Sequence, residues 1–430
     1  MKGPMVKGWC PGALRPMESG DGLIVRLKIS GGIVGIDCAA EIARWSMLWG
    51  NGQIDLTGRA NLQLRGLSAR TFPHLQAALA ERGLLAETAA GDAVRNIISS
   101  PLAGLDPDAV LDARPVMKSL ERRLIGDTVL HGLPGKFGFL IDDGGRLGLD
   151  GVAADIRFEA QPTAEGRAFE IRLDGAGEER FGPCPPDAVA EVAAALGSVF
   201  LGFRHTGIRR MRDLAARLGP EPIAQAAGLR YMHSARRGRP ALPSAFMDAQ
   251  PLGLTAFFGA GLPFGRVAAK DFAEFTEAAA RHGAKELRLT PWRAILVPLP
   301  SIRAAREMSA WSAKKSPILD PGDPRRRVAA CTGAPSCMQA TTDVRGNATV
   351  LAASIGGAPG SGIVLHVSGC AKGCAHPHVT PITLVGRGGR YDLVVSGAPS
   401  DSALLRNLNV DQAAEQVRGI MADQAEESTA

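Results

Sequence analysis

The sequence predicts an α+β protein laid out as two similar halves about a pseudo-twofold axis, and three observations predict it. One succession of strand, helix, strand pair and closing helix occurs twice, too far apart for the short period of a solenoid. The 430 residues are 45% hydrophobic, 21% charged and 5% aromatic, which suits globular domains and excludes disordered and fibrous classes. Four of the seven cysteines, Cys331, Cys337, Cys370 and Cys374, crowd into the second half, while Cys10, Cys38 and Cys184 are scattered. At roughly 100–200 residues per domain, the length allows about two to four domains and a sizeable core.

From Gly22, GLIVRLKI alternates like a half-buried strand, and Asp37 is placed to cap a helix running to Gly50. QIDLTGRANLQLRGL then reads as strand, turn and strand, and a helix over residues 72–82 closes the unit. From Gly253 the order returns as GLTAFFGAGLPFGRV, the helix AAKDFAEFTEAAARHGA and the strand pair KELRLTPWRAILVPL, with a closing helix over residues 301–312. Thr57 pairs with Thr290, and Arg59 with Arg293 at nearly the same offset. VRNIISSPLAG (94–104) lies about as far beyond the first strand pair as RVAACTGAPSC (327–337) lies beyond the second. One half carries serines where the other carries cysteines, so one cluster is expected at the half-to-half interface, with both halves lining a single ligand site. Gly/Pro-rich stretches at 240–243 and 320–324 read as joints. The acidic, Ala-rich tail from Asp411 reads as a helix fraying to disorder.

Residues 1–15 mix Lys, Pro and Gly without an apolar core, so no secretory signal is expected. The longest apolar run, 192–203, stops at Arg204 and is far too short for a bilayer. A cytoplasmic protein with reduced thiols follows, in which clustered cysteines are metal or cluster ligands rather than disulfides. Net charge is +6, and arginine dominates. The runs at 236–239 and 325–327 come without a zinc-finger, helix-turn-helix or RNA-binding signature, so neither nucleic acid nor membrane is expected as a partner. A polycarboxylate small molecule suits the same guanidinium forks.

CTGAPSC spaces Cys331 and Cys337 by five residues, and SGCAKGC spaces Cys370 and Cys374 by three. Two thiolate pairs satisfy either a tetrahedral zinc or a 4Fe-4S cube. Structural zinc pairs are usually about two to four residues apart. The wider first pair and the Gly, Ala and Ser around both, which let backbone N–H groups approach sulfur, favour the cube. Cys10, Cys38 and Cys184 read as isolated small apolar residues, and Asp142 and Asp143 as a polar turn before Gly144 and Gly145.

The C-x5-C and C-x3-C pattern resembles the cluster signature of the nitrite and sulfite reductase family. IDLTGRANLQLRG is similar to that family's half-domain strand pair, VRNIISSP to its Arg-Asn-Ile segment, and LPGKFGF to its Leu-Pro-x-Lys-Phe segment. The likeness runs from about residue 12 to 397. It implies a pseudo-twofold fold with ferredoxin-like half-domains at 12–85 and 245–315. Two larger mixed α/β domains at 86–240 and 320–410 hold cluster and tetrapyrrole, and an acidic tail follows at 411–430. It also implies a 4Fe-4S cube on Cys331, Cys337, Cys370 and Cys374, with Cys374 bridging to sirohaem in the reductases. Arg59, Arg95 and Lys136 take the catalytic anion-site places, and with Arg293 they grip carboxylates.

One departure matters: the second lysine of the reductases' Lys-Phe-Lys falls on Gly138. KGWCPGALRPMESGDGL, KFGFLIDDGG and CAHPH resemble instead the precorrin-3B synthase branch of that family. This implies an O2-dependent monooxygenase of aerobic cobalamin biosynthesis that hydroxylates precorrin-3A at carbon 20 and forms a γ-lactone. The branch is associated with a mononuclear non-haem iron beside the cube. His376 and His378 are candidate ligands, since two residues so spaced in a strand share one face. No Gly-x-Gly-x-x-Gly fingerprint is present, so electrons are expected from an external reductant, a ferredoxin or NADH through a reductase. The alternatives are a sirohaem nitrite or sulfite reductase and a non-catalytic, zinc-stapled tetrapyrrole-binding protein.

Overall fold

The computed structural model describes residues 9–164, 166–204, 207–232, 243–315, 317–356 and 362–427. The first unit runs β1 (Met17–Ser19), β2 (Gly22–Leu27), β3 (Ile33–Gly35), α1 (Ile36–Trp49), β4 (Gln53–Leu56), β5 (Leu62–Leu67) and α2 (Phe72–Glu81). Alternation in β2 buries Val25 and Leu27, as the sequence predicts. Asp37 is not the cap of α1. Gly35 holds that place without a side-chain bond, and Asp37 sits in the first turn, where its charge complements the helix dipole.

The second unit runs α3 (Ala89–Val94), β6 (Ile97–Ser99), α4 (Ala113–Gly126), β7 (Phe139–Asp142), β8 (Ile156–Thr163), β9 (Gly166–Leu173) and β10 (Arg180–Cys184), then α5 (Val189–Phe203), α6 (Met211–Leu218), α7 (Pro220–Ala226) and β11 (Tyr231–Met232). The third runs β12 (Asp248–Leu252), β13 (Thr255–Gly261), β14 (Arg266–Ala268), α8 (Ala269–Arg281), β15 (Glu286–Leu289), β16 (Ala294–Leu299) and α9 (Ile302–Ser312). Ser301 caps α9 by accepting from Ala304 N at 3.2 Å. The fourth runs β17 (Val328–Ala330), α10 (Val344–Ala352), β18 (Leu365–Ser368), β19 (Thr380–Arg387), β20 (Arg390–Gly397), β21 (Leu405–Leu408) and α11 (Val410–Glu427).

The two half-domains exchange strands. Sheet order is β1-β2-β5-β4-β14 in one and β12-β13-β16-β15-β3 in the other, so each three-residue strand pairs in the opposite half. The helices that follow, α1 and α8, pack together, and one apolar core runs through both halves. A left-handed glycine precedes each exchanged strand. A Cβ on Gly32 would lie 2.6 Å from Leu289 O, and one on Gly265 2.6 Å from Leu56 O, so only glycine permits this close crossing.

The larger domains repeat one topology. β6, β7 and β8 are parallel and continue antiparallel into β9 and β10, just as β17, β18 and β19 continue into β20 and β21. Parallel neighbours need crossovers, supplied by α4 and α10. Register fixes the correspondence: Ile97 pairs with Phe139 as Val328 pairs with Leu365, so Leu140 matches His366 and Ser100 matches Cys331. The predicted tail is part of this fold, since Ala413, Ala414 and Val417 of α11 are buried in the fourth unit's core. Of the predicted joints, residues 240–242 lie outside the described residues. At the other, Asp323 caps the turn Pro324–Arg327 by accepting from Arg325 N at 2.9 Å. Among the described residues, no helix is long and apolar enough to cross a membrane.

Candidate cluster and tetrapyrrole site

The first cysteine loop leaves β17, and Cys331 Sγ accepts a hydrogen bond from Gly369 N at 3.2 Å. The loop turns tightly at Gly333, whose φ is +74° and where a Cβ would lie 2.7 Å from Val344 N. Cys337 N donates to Gly333 O at 2.8 Å, and Ala334 N to Thr342 O at 2.8 Å. The second loop leaves β18, with Ser368 Oγ donating to Cys370 O at 2.7 Å. Burial pushes the Cys331 thiol up, and Cys374 and Cys337 push it further, against hydrogen bonds from Gly369 and Gly333. Cys374, the most exposed of the four, is raised by partial burial and by Cys370 and Cys337, and lowered by Lys372 and Lys136. Cys374 thus lies within electrostatic reach of Cys331, Cys337 and Cys370, and Lys372 and Lys136 favour its thiolate.

The other half holds this loop down. Ser336 O accepts from Gly20 N at 3.1 Å, Ser19 Oγ at 2.6 Å and Arg65 Nη2 at 3.0 Å, and Arg65 is itself fixed by Asp21 at 2.8 Å. The expected meeting of halves at the cluster loops is therefore built from named bonds.

A cluster of arginines, tied to the first cysteine loop through Arg65, is organised by buried Asp55. Arg266 reaches it through Nε at 2.6 Å and Nη2 at 3.0 Å, Arg345 Nη1 at 2.9 Å and Arg65 Nη1 at 3.7 Å. Burial alone would raise this carboxyl, but Arg345, Arg266 and Arg65 hold it at about 2. Burial brings Arg345 down to about 10. Arg26 Nη2 donates to Gln63 Oε1 at 3.1 Å, and Gln63 Nε2 to Asp55 Oδ2 at 3.3 Å, which extends the network.

Of the predicted grips, Arg59 and Lys136 come together, with Arg59 Nη2 donating to Lys136 O at 2.6 Å and the Lys136 side chain exposed near Cys374. Arg293 is drawn into the Asp55 field and sits at φ +58°. Arg95 turns the other way: its Nε bonds Glu121 at 2.9 Å, its Nη1 lies 3.7 Å from Asp92 and its Nη2 bonds Lys28 O at 3.1 Å. Its fork is already engaged. The pairing of Arg59 with Arg293 shifts by one residue. Thr57 Oγ1 accepts from Asn61 N at 3.2 Å and Thr290 Oγ1 from Ala294 N at 3.1 Å, and the left-handed residues of the two turns are Ala60 and Arg293. Trp292 therefore occupies the Arg59 place, where it stacks on Phe246 at 4.7 Å.

Cys10 is not an isolated apolar residue. It lies beside Arg26 and within reach of Lys28 and Arg59. Cys184 fits the apolar reading, with burial pushing its thiol to about 12, and Cys38 is half-buried in α1. Asp142 Oδ1 and Asp143 Oδ1 accept from Gly144 N and Gly145 N, each at 2.9 Å, as a polar turn requires, yet both residues are buried.

His376 and His378 precede β19 rather than lying in it, so the strand argument for a shared face fails. Their ring centroids are nevertheless 5.5 Å apart. His366, on β18, adds a third ring 6.0 Å from His376. Sequence reading missed it because one polar residue in LHVS carries no spacing signal. It is fully buried, neither ring nitrogen has a hydrogen-bond partner among the described residues, and burial, with His376, pushes it to about 4. A neutral imidazole with orphaned nitrogens suits a metal ion. Among the described residues, no group of three or more His, Cys, Asp or Glu side chains encloses a single ion. Zinc needs four ligands on one centre, whereas a cube takes one thiolate at each corner.

Residues 15–82 match the nitrite/sulfite reductase ferredoxin-like half domain, and residues 90–280 the nitrite and sulphite reductase 4Fe-4S domain. A precorrin-3B synthase of Sinorhizobium sp is 33% identical over 404 residues, covering 92% of this chain and 84% of that protein. The chain belongs to the nitrite/sulfite reductase family. Membership brings a 4Fe-4S oxidoreductase family to the four cysteines, which lie beyond the matched 90–280 stretch. The ferredoxin–nitrite reductase of Synechococcus elongatus is 27% identical, covering 88% of this chain and 78% of that one. The Mycobacterium tuberculosis NirA protein superposes with a TM-score of 0.73 at 19% identity, covering 92% of this chain and 79% of that chain, which shows the shared fold.

Proposed function

We propose that the protein acts as a precorrin-3B synthase, an O2-dependent monooxygenase that hydroxylates precorrin-3A at carbon 20 and closes a γ-lactone from the ring A acetate in aerobic cobalamin biosynthesis. The observation that carries this reading is 33% identity to such a synthase across 92% of the chain, against 27% to the nitrite reductase. The basic residues support it. Arg26, Arg59, Lys136, Arg293 and Arg345 outnumber Asp55, and such a surplus suits a macrocycle with several carboxylates. Gly138 stands where the reductases place a second lysine, and its N–H donates to buried Asp155 at 2.9 Å. One proton-delivering cation is therefore missing for anion reduction.

Arg59 and Lys136, joined at 2.6 Å, orient carboxylates beside Cys374, while Arg293 and Arg345, beside Asp55, take others. Arg95 supports from behind by fixing Lys28 O. When bound, a cube on Cys331, Cys337, Cys370 and Cys374 supplies single electrons, and a non-haem iron, with His376 as a candidate ligand, supplies oxygen activation. One oxygen atom enters the product and the other leaves as water. The two electrons come from a separate donor in the cytoplasm, a ferredoxin or an NADH-dependent reductase.

The test is anaerobic reconstitution followed by precorrin-3A, 18O2 and a reductant. The expected product is the hydroxylated lactone carrying one labelled oxygen. Similarity to nitrite reductases favours a second reading, a sirohaem reductase. A strong haem band in the purified protein, with nitrite or sulfite reduced and no lactone formed, would establish that instead. Zinc without acid-labile sulfide would point to the stapled binding protein.

A further inference from the structure

The two large domains provide an internal control for every side chain on their sheets. Leu140 and His366 occupy the same place, each the second residue of the central parallel strand, paired with Ile98 and Ala329 on one side and Arg157 and Thr383 on the other. Phe139 and Ile141 face their domain's core as Leu365 and Val367 face theirs, so Leu140 and His366 both point from the opposite face. Leu140 packs there with Ile98, Leu149, Val152 and Ala154. The fold therefore accepts an aliphatic residue at this position. Histidine in its place leaves two polar atoms desolvated, which is costly unless something pairs with them. A buried polar residue with no partner among the described groups implies one that binds there.

We infer that His366 and His376 hold a divalent transition-metal ion between their imidazoles, with its remaining positions open to water or substrate. Imidazole nitrogen binds such ions at about 2.0–2.1 Å, so rings whose centroids lie 6.0 Å apart are within the span of one ion. His378, 5.5 Å from His376 on the solvent side, is a neighbour of the site rather than a ligand. Open coordination positions suit an ion that reacts rather than one that staples. This deepens the oxygenase reading and rests on it for the ion being iron, but the pair of ligands stands on the geometry alone.

The test measures iron, acid-labile sulfide and the paramagnetic resonance of the NO-treated ferrous holoprotein, for the natural sequence and for His366→Leu, His376→Leu and His378→Leu. Leucine is the residue that the equivalent position already tolerates. The natural protein and His378→Leu are expected to hold one iron in excess of sulfide and to give the nitrosyl signal. His366→Leu and His376→Leu are expected to lose that iron and the signal while keeping their sulfide. If His366→Leu also loses sulfide, Co(II) absorption of the chelator-treated natural protein, with and without diethylpyrocarbonate, replaces it as the readout. Protection of His366 by Co(II), read by peptide mapping, supports the site, and unprotected His366 overturns it. Excess iron retained in His366→Leu, or absent from the natural protein, overturns the inference even if the lactone forms. Excess iron lost only with His366 and His376, in a protein that makes no lactone, leaves the site standing and sinks the oxygenase reading.

Discussion

Ser100 stands where Cys331 stands. Each follows the first parallel strand of its domain, and each accepts a backbone N–H from the loop after the second, Ser100 Oγ from Asp143 at 2.9 Å and Cys331 Sγ from Gly369 at 3.2 Å. The hydrogen bond belongs to the fold, and sulfur in one half adds a soft ligand.

Cys331→Ser is therefore expected to fold, since serine already makes this bond in the other half, but to lose its cluster. Acid-labile sulfide and the broad visible absorption measure it. Ser100→Cys gains no cluster, because the equivalent second loop offers Asp142, Asp143 and Gly144 in place of a cysteine pair. A variant Cys331→Ser with full sulfide would refute the assignment of this ligand.

Asp55 ties three arginines from three units, and its carboxyl, held at about 2, lies below its ordinary 3.8. A depressed carboxyl stabilises the fold fully above its unfolded value, so this contribution is present above about pH 4 and is lost as pH falls through about 2. Nearly two units correspond to about 2 kcal/mol. Asp55→Asn is expected to lower Tm at pH 7 and to flatten the acid limb of a denaturation series. An unchanged acid limb would count against the network.

The reverse sign applies to Asp143. Burial, with Asp142 and Asp106 nearby, raises it to about 6, and Oδ2 has no hydrogen-bond partner among the described residues. An acid raised in the fold binds its proton more tightly there than when unfolded. Stability is therefore highest below about pH 4 and falls as pH rises through 6. Asp143→Asn removes that loss, so it is expected to stabilise by about 2–3 kcal/mol at pH 8 and hardly at all at pH 4. Equal effects at both pH values in urea unfolding would contradict this.

Much of the architecture was legible because it repeats. Two threonines opening equivalent turns, two closing helices and two segments of equal offset announce the pseudo-twofold without any partner sequence. The strand exchange was not legible, because three residues such as Ile33–Gly35 carry no periodicity and their pairing is set by the opposite half. The Arg-Ala dipeptide in both turns drew Arg59 onto Arg293, whereas backbone conformation aligns Arg293 with Ala60. Cysteine spacing identified the loops because a cluster demands several ligands of one kind. Asp55, Arg345 and His366 stayed hidden, since each becomes informative only through neighbours far away in sequence.

Arg293 separates stability from binding. At φ +58° its backbone is in the left-handed region, which costs a non-glycine residue about 1–2 kcal/mol, and Gly265 is pressed against its side chain, since a Cβ there would lie 2.8 Å from Arg293 Cδ. Strain kept at a cation beside Asp55 indicates that the guanidinium is needed where it is. Arg293→Gly relieves the backbone and leaves Asp55 with Arg266, Arg345 and Arg65. It is expected to keep or raise Tm while weakening tetrapyrrole binding about tenfold or more, the scale of one charged hydrogen bond. Fluorescence quenching by a porphyrin polycarboxylate reads the affinity, and the same porphyrin as its methyl ester is expected to bind the two proteins alike. If the acid and the ester both lose affinity equally, Arg293 shapes the site instead of gripping a carboxylate.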